Sequence, residues 1–313
     1  MRADVERIAV AHADVHADVH EDVHADVGAA VGQTTTVPAP ARKAAPARKP
    51  RGQWFTLRRG ITVSSYRLLA LGGFAALFAL WAWVSHREST NPVFVPAPEE
   101  VLRAARALFA DEKLWLDLKL SLFRVTAGFL LAAAVGVPLG LWMGSFKVVE
   151  AVTQPIVEFV RYVPVPALIP ILMVLFGIDE PSKIALIWVG TFFQLVLMVA
   201  DEVRRVPDNL LQVSYTLGAR RGEVIRRVLW PAARPGIFDA LRLCNGWAWT
   251  YVVVAELVAA NEGLGYRILK FSRFLQTPQM WVYVILLGLI GLALDAVFRA
   301  LNRRLFHWVE TAR

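Results

Sequence analysis

The sequence predicts an all-α membrane protein of about six transmembrane helices, and two observations carry that expectation. The 313 residues are 56% hydrophobic and only 19% charged, with a mean hydropathy of +0.46, whereas a soluble domain carries about a quarter charged residues. The charges are also clustered. Between the clusters lie apolar runs near the ~20 residues that a helix needs to cross a hydrocarbon core ~30 Å thick. The formal net charge of +8 therefore reads as basic loops on the cytoplasmic face of a membrane, with lipid as a partner and no nucleic acid.

Residues 1–66 read as a disordered cytoplasmic tail in two parts. The first repeats His12, His16, His20 and His24 among Asp14, Asp18, Asp22 and Asp26; the second is a linker rich in Pro, Ala and basic residues over 37–51. Residues 1–30 have no apolar core of the kind a secretory signal requires, so the first apolar run is expected to persist as an anchor. A spacing of four would align the four imidazoles on one helical face, where pairs could take zinc, nickel or copper. The interleaved Asp and Val offer such a helix no apolar face, however, so the repeat reads as low-complexity sequence and no metal site is expected.

Residues 67–306 read as the transmembrane domain. Its apolar segments are 68–85, 125–146, 162–178, 184–200, 243–260 and 274–294, the third broken by Pro164, Pro166 and Pro170. Between the first two, Val101, Leu102, Ala105, Leu108 and Phe109 fall on one helical face, as in an amphipathic helix lying on the outer surface. Arg204, Arg205, Arg220, Arg221, Arg226, Arg227 and Arg234 crowd the connection between spans four and five. With six spans, that connection, the tail and the short C-terminus (307–313) all face the cytoplasm, the side that basic loops prefer. Cys244, the single cysteine, cannot form an intramolecular disulfide and reads as a small buried hydrophobe.

Helices in lipid are held together by close backbone contact rather than by the hydrophobic effect. Gly128, Ala132, Gly136, Gly140 and Gly144 recur every four residues along span two and predict a packing seam, which Pro138 should bend or loosen. Polar groups at membrane depth are costly and often mark a transport route. Glu158, Arg161, Pro164, Arg242, Asn245 and Glu256 are the candidates for it, with Arg161 or Arg242 attracting an anion. The alternative for each is snorkelling to the interface or an internal ion pair, such as Glu256 with an arginine elsewhere.

The connection at 207–236 contains a helix starting near Asp208, a break at Gly218, and a second short helix that Pro231 should stop. Leu210, Leu211, Ser214 and Leu217 would line one face of the first, and Val224, Ile225, Val228 and Leu229 one face of the second. Apolar faces on a basic connection point to a partner rather than to a merely solvated loop.

The spacing from Gly218 to Pro231 resembles the EAA loop of ABC importer permeases, though Gln212, Val213 and Ser214 stand where Glu-Ala-Ala is common and Trp230 where leucine is usual. The stretches 121–144, 155–178 and 252–268 are similar to the nitrate, sulfonate, taurine and bicarbonate branch of that family. The resemblance implies a type I ABC importer permease-like bundle in the bacterial inner membrane, with cytoplasmic coupling helices. Gln212, Ser214, Leu217, Gly218, Ala219, Val228 and Pro231 would then contact an ATPase subunit. It further implies a solute-binding protein outside and a second permease copy as a homodimer. The chain has no Gly-Lys dipeptide and hence no P-loop, so it is not expected to be an enzyme; ATP and Mg would sit on the partner. An ion-driven secondary transporter or a membrane-anchored scaffold are the competing classes; the first would ordinarily show an internal repeat of spans.

Overall fold

A computed structural model describes residues 62–308, which form eleven α-helices and no strand among the described residues. The His repeat and the linker lie outside them. Helix α1 (Val63–Ser85) is capped by the Thr62 side chain, which accepts from the Ser65 N–H, and none of its apolar window is buried within the chain. Its far end is tethered by Trp81, which stacks on Trp281 at 5.2 Å and donates to the Pro96 carbonyl at 3.2 Å. The amphipathic α2 (Pro98–Phe109) opens with proline and two acidic residues, a favourable helix start.

Helix α3 (Glu112–Ser145) begins at Asp111, whose carboxylate accepts from the Lys113 N–H at 3.0 Å. It stays continuous across Pro138. The expected third span, 162–178, holds only a 3₁₀ turn (Val165–Leu168) and the short α5 (Ile169–Phe176), which are bent by 91° from the preceding α4 (Lys147–Arg161). Pro164, Pro166 and Pro170 account for the break, since each lacks an N–H and restrains the residue before it. Helices α6 (Glu180–Arg204), α7 (Asp208–Thr216) and α8 (Arg221–Val224) follow. A π-turn (Ile225–Leu229) then leads into α9 (Trp230–Ala259), before α10 (Leu264–Arg273) and α11 (Thr277–Leu305).

Four helices, α1, α3, α6 and α11, are long and apolar enough to cross a membrane, or up to five if the bent pair is one span. The expected six is thus not reached on length and apolarity alone. The fifth segment, 243–260, lies almost wholly in α9, where Asn245 and Glu256 interrupt the apolar run.

The core joins α3, α6 and α9. Ala132, Ile187, Leu195, Val199 and Val252 are all sealed from solvent. The small residues of α3 lie along α6. A methyl group built at Gly140 would fall 2.7 Å from the Val196 carbonyl oxygen, and one at Gly128 or Gly144 2.7 Å from Ile187 or Val203. The contact is therefore within one chain and close enough to exclude even one carbon, the condition under which dispersion between helix backbones is strongest.

Candidate functional site

Three arrangements hold the polar residues of the bundle. The first is the connection between α6 and α9. Its α7 starts after Pro207, with Asp208 as first helical residue rather than as the cap. Gly218 has φ +83°, a left-handed conformation that lets its N–H reach the Tyr215 carbonyl at 2.9 Å and the Ala219 N–H reach Ser214 at 3.1 Å. That pair of bonds is the glycine-terminated helix end that turns the chain sharply. The Glu223 carboxylate then accepts from the Arg220 N–H at 3.0 Å, starting α8.

Pro231 does not stop this second helix, as the sequence suggested. The π-turn before it shifts the hydrogen-bond ladder, with the Trp230 N–H bonding to Ile225, and the chain runs straight into α9. A wider turn removes the need for an N–H at the proline. Val224 and Leu229 are buried and root the knob in the bundle, while Val213 and Leu217 project from it, Leu217 at 81% exposure. Gln212 and Gly218 are exposed; Ser214, Ala219, Val228 and Pro231 are half-buried at its base.

The second arrangement is a cavity of about 240 Å³ walled by α6 and α9 and closed by the α4–3₁₀ corner. Arg161 enters it beside Gln194, Thr250 and Tyr251. Its guanidinium donates to the Tyr162 hydroxyl at 3.0 Å and weakly to Gln194 at 3.4 Å, and it has no carboxylate partner among the described residues. Arg161 is the last residue of α4, and the proline break that follows turns the chain so that Val165 lines the same cavity.

The third lies at the bundle end opposite the knob, around Glu256, for which the sequence left open a place on the transport route or an internal pair with an arginine. Glu256 is fully enclosed and makes such a pair, held by Arg124 at 2.7 Å, the Ser121 hydroxyl at 2.7 Å and the Gly265 N–H at 2.8 Å. Arg124 also grips Glu180 with two bonds of 2.6 Å and donates to the Glu262 carbonyl at 2.8 Å. Two turns earlier on α3, Asp117 accepts from the Gly263 N–H at 2.8 Å and from Arg267 at 2.6 Å. The Leu264 N–H completes the set by donating to Ser121 at 2.9 Å. Three successive orphan N–H groups at the start of α10 are thus satisfied by side chains of α3 and α9, as buried donors require.

The other expected route residues are dispersed. Glu158 accepts from Gln154 within α4 at 2.7 Å, Pro164 precedes the 3₁₀ turn, and Asn245 is buried in α9. Arg242 lies toward the knob end, paired with Asp295 at 3.3 Å and Asp239 at 3.7 Å. Of the six, Arg161 alone lines the central cavity. Asp117, Ser121 and Arg124 escaped the sequence reading because they precede the second apolar run. Their spacing of four and three, on one helical face, was the available signal.

A bundle whose helices are long and apolar enough to cross a membrane, with an exposed helix–glycine–helix connection, fits a transporter permease. Comparison with known proteins makes this particular: residues 136–307 match the family described as binding-protein-dependent transport system inner membrane component, and the chain belongs to it. The taurine transport system permease protein TauC of Escherichia coli (strain K12) is 34% identical over 245 residues, 77% of this chain and 89% of its own. The nitrate import permease protein NrtB of Synechocystis sp. (strain PCC 6803) is 30% identical over 230 residues, 71% and 82% of the two chains. In fold, the chain is similar to an inward-facing MetNI methionine ABC transporter structure, with a TM-score of 0.52 and 23% identity over 60% of this chain and 95% of that one. The chain is the permease subunit of an ABC importer, a family that works with ATPase and substrate-binding partners.

Proposed function

We propose that this permease works as a homodimer that imports a small anion, of the kind named for its taurine and nitrate relatives, and that residues 208–231 couple it to ATP hydrolysis. ATP and Mg bind the partner ATPase, which fits into the knob from the cytoplasm, so both termini are cytoplasmic. A solute-binding protein delivers its cargo at the opposite end, near α10. Solute crosses past Arg161, and movement of the ATPase switches access by tilting α6 and α9, between which the knob is strung.

The observation that carries this reading is the exposure of Leu217 beside a helix break at Gly218, on a knob whose buried side is anchored by Val224 and Leu229. An apolar side chain so presented costs solvation unless a partner covers it. Co-expression with the cognate ATPase tests it. Wild-type chain should retain the ATPase in equimolar amount through purification, and Leu217→Asp with Val213→Asp should lose it at unchanged membrane abundance. Full retention by that double variant would refute the docking site.

A further inference from the structure

We infer that a cavity of about 480 Å³ between α9 and α11, near the knob end, binds the headgroup of an anionic phospholipid of the cytoplasmic leaflet. The leaflet follows from the orientation proposed above. Arg242, Arg299, Asn302, Arg303 and His307 line it, together with Asp239.

Its charges do not cancel internally. Asp239 takes the Asn302 amide at 3.0 Å and Arg242 at 3.7 Å, and Asp295 takes Arg242 at 3.3 Å and Arg299. Two carboxylates thus face three arginines, and Arg303 has no acidic partner among the described residues. A single phosphodiester charge fills the deficit, with guanidinium forks suited to its oxygens. Basic pockets between transmembrane helices on the cytoplasmic side are where such headgroups bind.

The surface leading to the cavity selects a lipid over a free ion. Leu292, Ala296, Arg299 and Arg303 share one exposed face of α11, spaced by four, three and four residues. Leu289 and Leu292, at 58% and 57% exposure, precede the arginines along the helix. Leu292 lies about 10 Å along the axis from Arg299, an apolar-then-cationic order that matches acyl chain and headgroup.

Native mass spectrometry of the purified, delipidated full chain tests this with phosphatidylglycerol and phosphatidylcholine as probes. The wild type should bind phosphatidylglycerol about fivefold more tightly, and Arg299→Gln with Arg303→Gln should bring the two lipids within about twofold. Arg303→Gln alone, at an exposed side chain with no described ion pair, should already halve the preference. Arg273→Gln, at the opposite end, should leave it intact. Equal binding of both lipids by the wild type, or an unaltered preference in the double variant, would overturn the inference. Displacement of phosphatidylglycerol by millimolar inorganic phosphate would assign the cavity to a free anion and overturn it equally.

Discussion

Arg124 and Glu256 meet at 2.7 Å with neither side chain reaching solvent, 2% and 0% exposed. The same guanidinium also holds Glu180, which is 38% exposed. Removing one partner of a buried pair strands the other charge and costs about 3–5 kcal/mol. Arg124→Met should therefore destabilise the chain by about that amount, since it strands Glu256 and leaves the Glu262 carbonyl without its donor. Glu180→Gln should cost less than half as much, because Glu180 is itself partly hydrated and Arg124 keeps Glu256 and the Glu262 carbonyl as partners. Unfolding midpoints of the two variants in the same detergent check the ranking; equal losses would show that burial does not set the cost.

The α3–α6 seam predicts a second ranking. At Gly140 a new methyl meets the fixed Val196 carbonyl oxygen at 2.7 Å, whereas at Gly136 the nearest atom is a Leu195 methyl at 3.3 Å, which can rotate aside. Gly140→Ala should destabilise by about 1–3 kcal/mol and Gly136→Ala by under about 1 kcal/mol. Thermal unfolding of the two variants compares them directly, and a reversed order would count against the seam as built.

The glycine register of α3 and the break at Gly218 were legible in the sequence because each obeys a strict local rule. Spacing of four defines a helix face, and only glycine accepts the left-handed turn without strain. The destination of the α3 seam was not legible, since small-residue faces serve equally well within and between chains. For Glu256 the sequence left two readings open, a place on the route or an internal pair with an arginine, and could not name the partner. Its cost at membrane depth is visible locally, but its partners Ser121 and Arg124 lie 135 and 132 residues away. The π-turn before Pro231 was hidden too, because a proline marks a missing hydrogen bond without saying whether the helix ends there or widens.

The proposed coupling role of the knob can be tested at Gly218 separately from folding. Its surroundings are open, with no atom within 4 Å of a built methyl, so a substitution strains only the backbone at φ +83°. Alanine there should cost about 1–2 kcal/mol locally, asparagine less and a β-branched valine more. Transport-coupled ATP hydrolysis should fall in the order Asn, Ala, Val, by about tenfold at Val, while membrane abundance stays level. A flat series in ATPase assays of the assembled importer would detach the turn from coupling.

The proposed route past Arg161 makes a prediction about selectivity. A cation without a described carboxylate partner, in a cavity of about 240 Å³ shared with Gln194 and Thr250, would favour an anion passing it. A hydrogen bond to a charged group contributes about 1.5–3 kcal/mol. With nitrate as probe, Arg161→Gln should therefore lower uptake into proteoliposomes about tenfold or more, and Arg161→Lys should retain an intermediate rate because the charge remains. ATPase retention should not change in either, since the knob lies elsewhere in the chain. Wild-type uptake by Arg161→Gln would place the anion's path away from this cavity, whereas equal loss in Gln and Lys would mean that guanidinium shape, not charge, is what the solute meets.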